Sequence, residues 1–170
     1  TNSSDDKGCE LAPSEIIKKL REIKSSENGK SIDHDSLNFE EIHVDLQNID
    51  EANYLIFENG KELFEKNNKT LFIGGDHSIN YSLMRALKVT EENPFLIVFD
   101  AYADCSHKKF TNYNWLRKII DEGFKGKNII LIGARNFEPE FLNFLKENKV
   151  IIIMMELLRE DSEGVCDLVM

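Results

Sequence analysis

Four short runs, apolar throughout apart from the leading Asn128, stand out along an otherwise polar chain: Leu71–Ile73, Phe95–Phe99, Asn128–Ile132 and Val150–Met154. None alternates with polar side chains, so each predicts a strand buried on both faces. Between them, apolar positions recur at helical spacing. Ser78–Leu87 places Ile79, Leu83 and Leu87 on one face, Asn114–Glu122 reads as a helix, and Glu138–Asn148 aligns Phe141, Leu142 and Leu145. Strands alternating with amphipathic helices predict an α/β fold: a mainly parallel sheet covered on both faces. Upstream, Pro13 and Ser14 suit a helix start, with Ile16, Ile17 and Leu20 as its apolar stripe. Ser25 to Asp35 is polar and glycine-containing, which predicts a loop, and Glu41–Leu46 alternates as a short strand or extended segment would. Ile49 to Asn67 fits one long amphipathic helix carrying Ala52, Leu55, Ile56, Leu63 and Phe64. Gly60 counts about 1 kcal/mol against it. No solenoid repeat, low-complexity tract or linker divides the chain, so residues 1–170 are expected to form one domain.

Size and composition narrow the functional classes. With 170 residues, 31% charged and 41% hydrophobic, the chain reads as a soluble domain. It is long enough to bury roughly two-thirds of its unfolded surface. A formal net charge of −10 argues against non-specific nucleic-acid binding and against docking to anionic membranes. No apolar stretch approaches the ~20 residues that span a bilayer. The polar start, Thr1 to Lys7, is unlike a signal peptide, so a cytoplasmic location is expected. Cys9, Cys105 and Cys166 form neither a disulfide framework nor a zinc pattern. Cys105 invites a reading as a thiol nucleophile, but a small buried residue after a strand is the expected one.

Chemistry gathers at the ends of two predicted strands. The first leads into Gly74-Gly-Asp-His-Ser78, the second into Asp100-Ala-Tyr-Ala-Asp104. In open α/β sheets, ligands bind beyond the carboxyl ends of the strands. An imidazole and carboxylates placed there suit a hard or borderline divalent cation. The two glycines permit a sharp turn that aims His77 into the crevice, and Ser78 is placed to cap the next helix. Each motif alone also reads as a tight turn with solvated or capping side chains. Their corresponding positions on successive strand–helix units make the pair more specific.

These two motifs resemble the paired signatures of the ureohydrolases (arginase, agmatinase, formimidoylglutamase). Gly8-Cys-Glu-Leu-Ala-Pro13 is similar to that family's early glycine-rich substrate loop, and Asn128 to Asn136 to its later strand ending in Gly-x-Arg. The resemblance implies an arginase-like three-layer α/β/α fold and hydrolysis of a guanidinium or formimidoyl C–N bond with two Mn²⁺ ions. It implies His77, Asp100 and Asp104 as metal ligands, with Asp100 bridging. Asp100 and Asp104 would then be the catalytic pair, and Asp76 would orient His77 or its loop.

Three departures qualify that inheritance. Tyr102 stands where the family motif carries a metal-binding His, and a phenol with pKa near 10 replaces imidazole poorly. His107 is the nearby alternative donor, although a solvated His beside Lys108 and Lys109 is the expected reading. Asn112 and Tyr113 lie where relatives often place a proton-transferring His, and neither is a general acid at neutral pH. The chain also reaches Met170 without the later Ser-x-Asp-x-Asp strand end, which predicts a shortened member with open sheet edges. The expectation is a Mn²⁺-dependent hydrolase of a small guanidino compound, releasing urea, impaired in this chain and associated with itself or a partner chain. The alternative is a catalytically inactive ureohydrolase-like domain serving as an interaction or regulatory subunit. An unrelated flavodoxin-like binder explains neither motif.

Overall fold

Three strands carry the fold, β1 (Leu96–Phe99), β2 (Ile129–Ala134) and β3 (Ile151–Met154), hydrogen-bonded in the order β1-β2-β3 with both pairings parallel. The computed structural model describes residues 8–45, 47–66, 69–106 and 112–169. The expectations that fall on Leu46, Asn67, His107, Phe110 and Thr111, and on the first seven residues, lie outside that set.

The helices are α1 (Ala12–Leu20), α2 (Ile49–Glu65), α3 (Ile79–Thr90), α4 (Trp115–Asp121), α5 (Pro139–Glu147), α6 (Met155–Glu160) and α7 (Ser162–Val169). The alternation of side chains along β2 explains the layering. Ile129 and Leu131 join a core with Trp115, Leu116 and Ile119 of α4 and Leu145 of α5. Ile130 and Ile132 point the other way, into a second core with Ile153 and with Val165 of α7. All six residues of β2 are buried, as a central strand between two helical layers requires. The fold is thus α/β with helices on both faces of a parallel sheet. On β1 the second layer is thinner. Ile97 and Phe99, register partners of Ile130 and Ile132, are exposed, Phe99 at 77%.

Local chemistry fixes the helix ends. Asn48 caps α2 by accepting the Glu51 N–H, while its amide donates to the Glu51 carboxylate at 2.9 Å. Proline opens α1 and α5 at a position that has no intrahelical acceptor to lose. Gly60, which counted against α2, is where that helix meets α3. A Cβ there would lie 3.1 Å from the Leu83 side chain and 3.4 Å from Ala86. Close helix approach repays the propensity lost.

One expected strand is not found, and a segment expected as a strand or an extended stretch is not a strand. Leu71–Ile73 runs without a strand partner among the described residues, with Leu71 79% exposed. Residues 41–45 likewise form no regular element. An apolar run becomes a strand only where a neighbour accepts its ladder hydrogen bonds.

Candidate metal centre

At the carboxyl end of β1 the chain turns sharply. The Asp100 N–H still bonds to the Ile132 carbonyl of β2 at 3.1 Å, so the strand's ladder anchors this residue. One carboxylate oxygen of Asp100, Oδ1, accepts the Tyr102 N–H at 3.0 Å, which folds the next residues back. Four residues on, Asp104 takes a left-handed backbone conformation, φ 46°. Aspartate tolerates this region better than most side chains do. The turn carries its carboxylate toward His77.

His77 arrives from the other motif. Gly75 lets the backbone of the 8–11 segment pack against this turn, since a Cβ would sit 2.9 Å from the Cys9 carbonyl oxygen. Asp76 Oδ1 accepts both the Ser78 N–H, at 3.1 Å, and the Ser78 hydroxyl. Asp76 therefore organises the entry to α3, and Ser78, expected to be the cap, makes no side-chain cap bond to that helix. With the turn fixed, His77 Nδ1 lies 2.7 Å from Asp104 Oδ2 and 3.5 Å from Asp100 Oδ2.

Donor atoms of these three residues all lie within 4.8 Å of one another. Ligands about 2.1 Å from a six-coordinate ion sit roughly 3 Å apart along an octahedral edge. The two imidazole–carboxylate separations bracket that spacing. One nitrogen and two carboxylate oxygens also match the donor preference of Mn²⁺-like cations. The residues present fit such an ion.

The electrostatics follow from the contacts. The hydrogen bond that the His77 imidazole donates to the Asp104 carboxylate raises the His77 pKa above its ordinary value; burial opposes this, and the charges of Asp104, Asp100 and Asp76 reinforce it. Cys105, by contrast, is fully buried and donates to the Ala103 carbonyl at 3.1 Å. Burial pushes its thiol up to about 12, which leaves negligible thiolate at neutral pH. It is a packing residue.

Other sequence candidates stand apart. Tyr102 is 63% exposed, and its backbone rather than its ring serves the site by holding Asp100. Tyr113 is exposed too, although its carbonyl accepts the Ser106 N–H and closes the loop. One contributor escaped the sequence reading. Trp115, at the start of α4, donates its indole N–H to Asp104 Oδ2 at 2.8 Å and sets its ring 5.3 Å from His77. Its only sequence signal is being the single tryptophan, at the head of the helix after the acidic loop.

This geometry can be set beside known proteins. The arginase family profile matches residues 1–168. The chain belongs to the arginase family. As a member, it is similar to formimidoylglutamase of Bacillus subtilis (strain 168), 27% identical over 164 residues, covering 90% of this chain and 51% of that protein. The chain thus spans about half the length of this curated relative. The crystal structure of formimidoylglutamase from Bacillus subtilis superposes with a TM-score of 0.87 at 26% identity, over 99% of this chain and 56% of the other. Formiminoglutamase from Trypanosoma cruzi, solved with Mn²⁺, shares the fold at a TM-score of 0.67 and 15% identity, over 75% and 45% of the two chains. This arginase-family chain therefore has the arginase-like α/β architecture. No helix among the described residues is long and apolar enough to cross a membrane.

Proposed function

We propose that this chain provides the metal-binding face of a metal-dependent C–N hydrolase, acting on a small formimidoyl or guanidino compound. The observation that carries the reading is the convergence of His77 Nδ1 with the Asp100 and Asp104 carboxylates beyond the end of β1. Similarity to a formimidoylglutamase over 90% of the chain favours a formimidoyl substrate, and the Trypanosoma cruzi neighbour solved with Mn²⁺ favours that ion.

In this reading His77, Asp100 and Asp104 hold the cation. When bound, the cation supplies Lewis-acid stabilisation of developing negative charge and makes water a competent nucleophile near neutral pH. The protein's own groups do the rest. The ladder bond at Asp100 and the turn at Tyr102 fix one carboxylate, and the left-handed backbone at Asp104 fixes the other. The test is hydrolysis by the purified protein, loaded with Mn²⁺. Formamide from formimidoylglutamate supports the formimidoyl reading, urea from arginine or agmatine the guanidino one. No product from either contradicts both.

A raised His77 pKa gives this site a pH dependence. Its protonated form, paired with Asp104, contributes stability that is fully present below about pH 6.5, the ordinary His value, and is lost as pH rises through the folded-state pKa. The same proton competes with a cation for Nδ1. Calorimetry at about pH 6 and about pH 8 should therefore find Mn²⁺ bound more weakly at the lower pH. Equal affinities would remove His77 from the ligand set.

A second reading, a folded relative without turnover that serves as an interaction or regulatory subunit, is favoured by Tyr102, whose exposed ring replaces an imidazole donor. Tyr102→His should raise Mn²⁺ affinity about tenfold or add a second ion, a gain of about 1.4 kcal/mol. No gain in a folded variant would place residue 102 outside the metal centre.

A further inference from the structure

We propose that Trp115 is a positioning residue of this centre, fixing Asp104 and His77 in register before a cation arrives. The inference rests on the hydrolase reading above and assigns a role to a side chain that touches no reacting atom.

Trp115 is 1% exposed and packs into the core shared by α4, α5 and β2, so its ring is immobile. From that base it makes two directed contacts, both onto candidate ligands. The indole N–H reaches Asp104 Oδ2 at 2.8 Å, the same oxygen that lies 2.7 Å from His77 Nδ1. Its ring lies against the imidazole with centroids 5.3 Å apart and planes tilted by 59°. An indole N–H is a donor only and never titrates in the working range, so it orients a carboxylate without competing for a metal.

Both partners need such a hold. Asp104 sits in a left-handed conformation, which aspartate tolerates at some cost and which a bond to its carboxylate helps to hold. His77 is partly exposed, and in the described contacts only the two acids and the indole define its ring orientation. A buried tryptophan serving the core alone would satisfy its N–H on any nearby acceptor. Here both contacts fall on the donor cluster, and outer groups that orient metal ligands typically govern affinity about 10- to 100-fold.

Trp115→Phe keeps an aromatic ring in the core and deletes the N–H. In a variant shown by circular dichroism to be folded, Mn²⁺ affinity should fall about tenfold or more. An affinity within about twofold of wild type would overturn the proposal and leave Trp115 a packing residue, whatever its effect on melting. A metal-independent readout separates this inference from the hydrolase reading. The single indole N–H resonance of ¹⁵N-labelled protein should exchange slowly with solvent in wild type and faster in Asp104→Ala. If wild type takes up no Mn²⁺, the hydrolase reading fails, and the positioning claim is decided by this resonance. Unchanged protection in Asp104→Ala would overturn it. The same comparison decides the matter should Trp115→Phe fail to fold.

Discussion

Asp100→Ala should lose Mn²⁺ binding by about 100-fold or more, about 2.7 kcal/mol, while melting within a few degrees of wild type. The two halves of this expectation have separate causes. Removing a carboxylate from a three-donor set deletes an anionic oxygen, and hard cations depend on such oxygens. For the fold, the same carboxylate contributes one local hydrogen bond, to the Tyr102 N–H, and a 3.5 Å contact with His77. A single bond of that kind is worth about 1 kcal/mol, and its loss is offset where two nearby acids no longer repel. Isothermal calorimetry and a thermal melt on the same preparation check both. An unchanged affinity would mean that the cation, if any, binds elsewhere.

Leu131→Ala should be the opposite case, severe for stability and indirect for the site. Leu131 is fully buried at the middle of β2 and faces the helical layer that holds Trp115, Leu116 and Leu145. Truncating a buried leucine typically costs about 2–5 kcal/mol, because the cavity adds to the lost transfer energy. Against a usual stability of about 5–15 kcal/mol that is a large fraction. A drop of roughly 6–12 °C in Tm is expected for a loss of about 3 kcal/mol in a chain of this size. Ile97→Ala supplies the control. Ile97 belongs to the neighbouring strand but is exposed on the open part of the other face, so truncation should cost about 1 kcal/mol or less. Similar losses for both variants would contradict the assignment of β2 as the centre of the fold.

Much of this architecture is legible in the sequence, and the reasons differ by element. Strand β2 announces itself because a fully covered parallel strand has no polar side to write into its sequence, and β1 and β3 carry the same apolar runs although one face of each is partly open. Helices α2 to α5 follow from apolar spacing, with boundaries displaced by at most three residues. Leu71–Ile73 has the same apolar signature as β1 but no partner, and pairing is a property of the neighbour that a local pattern does not encode. Helices α6 and α7 were not anticipated, although Leu157, Leu158, Val165, Leu168 and Val169 carry the spacing that would have revealed them. At the site, the two motifs that follow apolar runs suffice to single out His77, Asp100 and Asp104, which the fold brings together. Trp115 could not, because a tryptophan at a helix start signals core packing and its N–H partner is a matter of tertiary geometry. The bond of the Ser78 hydroxyl to Asp76, in place of a cap on α3, is of the same kind, since only the turn geometry decides which partner a competent cap meets.

The central claim is the place of the cation, and diffraction from Mn²⁺-soaked crystals, collected where manganese scatters anomalously, tests it most directly. The account predicts an anomalous peak about 2.0–2.3 Å from His77 Nδ1 and from a carboxylate oxygen of each of Asp100 and Asp104. The imidazole–Asp104 hydrogen bond would be replaced by coordination. A peak elsewhere on the chain, or none at millimolar Mn²⁺ with these side chains still hydrogen-bonded to one another, would contradict it.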